Sequence, residues 1–254
     1  MSEPQGPVYM VYDSAMQESP MKEEMALPKY SVKVPSRIAP EPAVVEEAAD
    51  MLMASENPLL LTEYAARMPI GFDSTVELAE TVGASVYDIN KRLGFPNRHP
   101  QSLSFHGDAF KGVDVVAALD VVDWTRGSHK LNTQTREVSV VTAPDCKWID
   151  VGFADIEISK WATDYNKHHN WDLRVLGDSA LSLPALTAAC RKRIDGNKSL
   201  TTKIAERKKA IGERHARQWQ KWQDQVKEEW NERPMTESRL AHEETATVKL
   251  IKTI

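Results

Sequence analysis

Three aspartates follow apolar runs at places where a carboxylate could meet a ligand. Asp120 and Asp123 lie just past the run Asp114–Leu119, and Asp178 lies just past Asp172–Leu176. Ligands of open α/β sheets bind beyond the carboxyl ends of the strands, so these three are the candidate nucleotide contacts. The competing reading makes them turn and helix-capping aspartates. The histidines offer less. His168 and His169 are adjacent, which puts their rings on different faces, whereas a shared metal favours i, i+2 or i, i+4 spacing. His99 and His106 fall in a loop-like stretch with no carboxylate or nucleophile motif beside them, so solvated side chains are expected. Cys146 and Cys190 have neither disulfide nor metal spacing and suit a reducing compartment.

The phosphate-cradling fingerprints are missing: the chain has no Gly-x-Gly-x-x-Gly and no Gly-x-x-x-x-Gly-Lys-Ser/Thr. The turn after the first apolar strand reads Glu63-Tyr64-Ala65-Ala66-Arg67, with no glycine until Gly71. Side chains there hinder the close backbone approach that a pyrophosphate needs. Gly-x-Ser-x-Gly and the zinc-protease signature are also absent. The residues therefore name no catalytic group and no metal ligand.

The elements that would position these residues alternate. Val44, Val45, Ala48, Ala49, Leu52 and Met53 have helical spacing, and Pro58–Thr62 is a short apolar strand. Ser74 can cap a helix containing Val76, Leu78, Ala79 and Val82 that stops at Gly83. Strands are predicted at 84–88, 114–119, 137–142, 147–151 and 172–176, and an amphipathic helix at 181–194. Such alternation predicts an α/β fold: a Rossmann-like, open, mostly parallel sheet with helices on both faces. A long charged helix follows over 199–232, with a thin stripe of Ile204, Ile211, Trp219, Trp222, Val226 and Trp230 read as a packing face. Thr236–Leu240 looks like the cap and first turn of another helix.

The opening is unusual. Gly6–Asp13 reads as an apolar strand with nothing of its own to pair with, and a Pro-rich connector occupies 14–42. Three parts are expected: residues 1–41 as the end of a preceding domain and linker, 42–198 as one α/β domain, and 199–254 as a connecting helix and the start of a following domain. The net charge is -5. Residues 1–60 carry ten acids against four bases, and 203–233 carry nine bases against six acids. That basic excess is mixed in sign, so no nucleic-acid partner is expected. No apolar run approaches the ~20 residues a membrane span needs, and no secretory signal is visible, so no membrane partner and a cytoplasmic location are expected.

Several segments together resemble thiamine diphosphate-dependent enzymes of the acetolactate synthase type. Gly6–Asp13 with its Pro-rich linker resembles the exit of their pyrimidine-binding domain, and Glu46–Leu52 with Asn57–Leu61 the entry to their central domain. Further matches are Leu78–Glu80 with Gly83–Val86, Phe95–Pro100, Asp114–Asp120, Asp155–Ile158 and Asp172–Asp178. The resemblance spans roughly residues 6–195. It implies a parent 2-oxo acid decarboxylase or carboligase using thiamine diphosphate and magnesium, with active sites between subunits of a homo-oligomer. In that family the first domain supplies an activating glutamate and the third a Gly-Asp-Gly…Asn motif. The central domain lacks catalytic groups and in some members binds FAD or ADP. This chain has no Gly-Asp-Gly triplet and departs from the family at Gly152-Phe153-Ala154 and at the glycine-poor turn after Leu61. The resemblance thus implies a central domain inactive by itself, whose partners are catalytic domains in the same or another chain. A subunit of a split enzyme and a free-standing FAD-, ADP- or NAD-binding domain are the alternatives.

Overall fold

In the computed structural model, residues 9–20, 31, 33–89, 93–125, 127–153 and 170–251 are described. A short helix α1 (Ser14–Glu18) precedes α2 (Pro42–Ala54), and strand β1 (Pro58–Thr62) leads through a 3-10 turn at Ala65–Arg67 into α3 (Pro69–Val82). Strands β2 (Ser85–Asp88), β3 (Val115–Leu119), β4 (His129–Leu131), β5 (Val138–Val140), β6 (Lys147–Gly152) and β7 (Leu173–Leu176) follow. The chain continues in α4 (Ser179–Ile194), α5 (Lys198–Glu228) and α6 (Glu237–Ile251).

Five strands form one sheet in the order β2-β1-β3-β6-β7, with every pairing parallel. The predicted α/β class is therefore what the chain adopts. Every residue of β1 and β3 is buried. Because side chains alternate across a strand, β1 feeds two cores. Leu60 faces α2, α3 and α4 through Leu52, Leu78 and Leu183. Leu59 and Leu61 face the long β2–β3 connection, with Leu103, Phe110, Trp148 and Ile211 of α5.

The structure changes several sequence expectations. Tyr9–Asp13 carry no regular secondary structure, and Tyr9, Met10, Val11 and Tyr12 are all exposed. A strand there would need a sheet to bond to, and none of the described strands pairs with it. The connector contains α1, started by Asp13, whose Oδ1 accepts the Ala15 N–H at 2.8 Å. Helix α3 begins at Pro69, not at Ser74: proline suits a first helical turn, and Ser74 is buried inside the helix. Gly83 does end it, at φ 66°. The 137–142 segment is not part of the main sheet; β5 pairs antiparallel with β4 in a separate hairpin. The matches at Asp155–Ile158 and the His168–His169 pair lie outside the described residues.

Helix α5 begins at Lys198 and is held to the domain through helix ends. Arg207, buried, donates from Nη1 to the Val82 carbonyl at 3.2 Å and from Nη2 to the Ser55 carbonyl. Lys203 reaches the Ala54 carbonyl at 3.4 Å and the Glu56 carboxylate at 2.5 Å. Two cations thus meet the carbonyl ends of α2 and α3, where the helix dipole favours positive charge. Nearby, Asp114 at the entry to β3 accepts from Ser55 Oγ at 2.5 Å, Glu56 N at 2.7 Å and Asn57 N at 2.9 Å. Burial works to raise this carboxyl, but those three donors outweigh it and hold it below the ordinary aspartate range. A depressed folded value means the stabilisation is complete above the unfolded value of 3.8 and is lost as pH falls through the folded one.

Two outcomes follow. Arg207→Met should lower unfolding stability by about 2–3 kcal/mol, because two buried carbonyls lose charged donors; a urea titration showing under about 0.5 kcal/mol would contradict this anchoring. Asp114→Ala should cost about 2 kcal/mol at neutral pH, and that cost should shrink as pH falls below 3.8 and through the depressed native value. Urea midpoints of both proteins across that range check it.

Candidate functional site

In the order β2-β1-β3-β6-β7 the chain moves to one side of β1 and then to the other, so the strand order reverses between β1 and β3. Open sheets of this kind form a ligand crevice at that point, beyond the carboxyl ends of the strands. The residues there are Glu63 to Arg67 after β1, Asp120 to Asp123 after β3, and Gly152-Phe153 at the end of β6.

This chain fills the crevice with its own carboxylates. Glu63 is buried, and its Oε2 accepts the backbone N–H of Val122 at 2.8 Å and of Asp123 at 3.3 Å. Asp120 is buried in the left-handed region at φ 47°, which aspartate tolerates better than most residues. Its Oδ2 pairs with Arg67 Nη1 at 3.2 Å, and its Oδ1 accepts the Phe153 N–H at 3.4 Å. Gly152, at φ 138°, is required by that approach: a Cβ there would stand 2.1 Å from Asp120 Oδ1. Asp123, half-buried, accepts from Thr125 Oγ1 at 2.6 Å.

The chemistry of this arrangement is that of a lock. Backbone N–H groups at the strand ends are what a phosphate would bind. Here those of Val122, Asp123 and Phe153 are bonded to protein carboxylates. Among the described residues, three acids stand beside one guanidinium there, a balance that disfavours a diphosphate.

The three predicted aspartates do not converge. Asp120 and Asp123 share the β1/β3 crevice. Asp178 lies beyond β7, two strands away from β3 and hence about 10 Å off. It caps α4, its Oδ1 accepting the Ala180 N–H at 2.8 Å, and pairs with Arg37 at 3.5 Å. The backbone N–H of Asp178 donates to Ile38 O at 2.9 Å, so the linker itself closes that strand end. Sequence reasoning passed over Glu63 and Arg67 as site residues. The available signal was a charged pair directly after a wholly apolar strand.

The remaining candidates have structural partners. His99 is not a solvated loop residue: Nε2 lies 3.2 Å from Glu80 Oε1, Nδ1 accepts the Gln101 N–H at 3.2 Å, and the ring packs on Phe95. Burial pushes the thiols of Cys146 and Cys190 up to about 12, so neither is a ready nucleophile. The tryptophans of α5 and the turn after it pack: Arg98 stacks over Trp219, Trp222 meets Phe105 edge-on, and Arg239 stacks over Trp230. Among the described residues, no group of three or more His, Cys, Asp or Glu side chains is arranged to hold a metal ion. None of the described helices is long and apolar enough to cross a membrane.

No known protein-family profile matches the chain, and no curated protein matches it. Solved structures do. One is described as a thiamin diphosphate-dependent enzyme from Mycobacterium smegmatis, at 21% identity and TM-score 0.48, covering 65% of this chain and 31% of that one. A second is benzoylformate decarboxylase from Polynucleobacter necessarius, at 18% identity and TM-score 0.45, covering 65% and 30%. A third is a thiamine diphosphate-dependent 4-hydroxybenzoylformate decarboxylase from Rhodococcus jostii RHA1, at 16% identity and TM-score 0.45, covering 63% and 29%. The chain spans about a third of the length of each of these proteins.

The lock can be tested by coupling. Gly152→Ala should cost about 3 kcal/mol in the native sequence, and at least about 1 kcal/mol less when Asp120→Ala removes the atom its Cβ would strike. Equal costs in the two backgrounds, measured by urea unfolding, would contradict the contact.

Proposed function

We propose that the chain is the central, non-catalytic domain of a thiamine diphosphate- and magnesium-dependent 2-oxo acid decarboxylase or carboligase of the acetolactate synthase type, with flanking segments. The observation that carries the reading is the placement of the resembling segments. Glu46–Leu52 falls on α2, Asn57–Leu61 runs into β1, Leu78–Glu80 lies on α3 and Gly83–Val86 turns into β2. Asp114–Asp120 frames β3, and Asp172–Asp178 covers β7 and the cap of α4. That succession is what the resemblance implies for a central domain; Gly6–Asp13, the segment matched to a preceding domain, forms no strand over its described residues.

The described residues do not fit the cofactor itself. The sequence has no Gly-Asp-Gly triplet, and the crevice where a diphosphate could approach the sheet is occupied by Glu63 and the Arg67–Asp120 pair. The same closure disfavours FAD, ADP or NAD. The domain's role would then be positional: the linker docked at Asp178 and helix α5 docked through Arg207 fix the directions in which the chain enters and leaves. Catalytic domains, in the same polypeptide or in another chain of a homo-oligomer, would supply the chemistry.

The test is the mass of the native polypeptide together with the DNA flanking this reading frame. We expect either a polypeptide about twice the 28.6 kDa of this chain with a Gly-Asp-Gly…Asn region downstream, or a separate co-purifying chain that carries that region. A native 28.6 kDa protein with neither would overturn the proposal.

A further inference from the structure

Strands β4 and β5 form an arm without a cover. Residues 130–140 are exposed throughout, and Leu131, Val138 and Val140 are each more than half exposed. A two-stranded hairpin by itself is marginal in water, because it lacks the further strand or packing layer that would steady it. The register sets Leu131 opposite Val138, Lys130 opposite Ser139 and His129 opposite Val140. Side chains alternate across a strand, so Leu131, Val138 and Val140 share one face, and Lys130 and Ser139 share the other.

The hydrogen bonds show which main-chain groups point outward. The Asn132 N–H donates to the Glu137 carbonyl at 2.8 Å, and the Val141 N–H to the Ser128 carbonyl at 2.9 Å. Bonded and non-bonded pairs alternate along an antiparallel ladder. Lys130 and Ser139 are therefore the bonded pair between those two. The pairs Leu131–Val138 and His129–Val140 turn their N–H and C=O groups to the outer edges. The outer edge of β5 thus presents the main chain of Val138 and Val140, and among the described residues nothing bonds to it.

We propose that β5 is a dimerisation edge, pairing antiparallel with β5 of a second copy about a two-fold axis through Ser139. Val138 then meets the partner's Val140 as a bonded pair, and the axis repeats that pair on the other side of Ser139. Ser139 meets the partner's Ser139 as a non-bonded pair of small side chains. A two-fold contact needs a self-complementary patch. The sequence Val138-Ser139-Val140 supplies one, with β-branched residues facing each other across the strands and no charge to repel its copy. The outer edge of β4 does not, because an axis there would set Lys130 directly against the partner's Lys130. The same lysine lies on both outer strands of the joined ribbon, so assembly stops at two copies. This inference does not rest on the thiamine diphosphate reading, and its failure would leave that reading standing.

Sedimentation equilibrium of the full chain tests it. The contact is confined to the arm and small for an interface, so the mass should rise from 28.6 kDa towards twice that value between about 10 µM and about 1 mM. Val138→Pro removes an outward N–H that the β4–β5 ladder does not use, and should weaken the dimer about tenfold or more. Ser139→Lys and Ser139→Glu, at an exposed position, should each weaken it about fivefold by setting like charges against each other. Mixing those two proteins should restore association, because Lys then faces Glu across the axis. Four results would each overturn the proposal: a monomer at every concentration, assemblies larger than a dimer, an unchanged dimer in folded Val138→Pro or in Ser139→Lys, or a mixture no tighter than its components.

Discussion

The structure depends on strand β1 being central and wholly buried. Pro58-Leu59-Leu60-Leu61-Thr62 has a parallel neighbour on each edge and no residue facing water. A strand of that kind is stable only if both faces are covered and both ends are closed, because unpaired backbone groups in the interior are costly. One face is met by a regular layer of α2, α3 and α4, further tied together where Arg193 of α4 bonds Glu46 and Asp50 of α2 at 2.5 and 2.6 Å. The other is met by the connection between β2 and β3, by Trp148 and by one residue of α5, Ile211.

Closing the ends uses side chains that a secondary-structure reading treats as surface. At the amino ends of the strands, Asp114 gathers three donors and Arg207 spans the ends of α2 and α3. Gln101, buried, donates to the Ala79 and Ala84 carbonyls at 2.7 and 2.6 Å, finishing α3 from the loop side. At the carboxyl ends, Glu63 and the Arg67–Asp120 pair close the crevice that other sheets of this order leave for a ligand.

The sheet was legible because its signal is periodicity. Leu59–Leu61, Val86 and Val115–Leu119 are apolar runs that only a doubly covered strand explains. Gly83 as a helix stop was equally readable, because a left-handed residue at that place favours glycine. What sequence reasoning missed depends on contacts distant in the chain. The start of α3 at Pro69 was masked by Ser74, a good capping residue that the fold buries instead. The hairpin of β4 and β5 joins segments too short and too exposed to show alternation. Asp178 was placed at a strand end, and of the two readings the sequence allowed it, ligand contact or helix cap, the structure shows the cap of α4. Glu63 and Arg67 were noted for what the turn lacks, glycine, and not for what their charges do across 59 residues of chain to Val122.

The central claim is that the β1/β3 crevice is closed by the chain's own carboxylates. Calorimetric titration of the purified chain with ADP, and separately with FAD, tests it most directly. We expect only heats of dilution up to millimolar ligand. Saturable binding in the micromolar range that changes with substitution of Glu63 or Asp120 far more than with a distant surface change would contradict the closure.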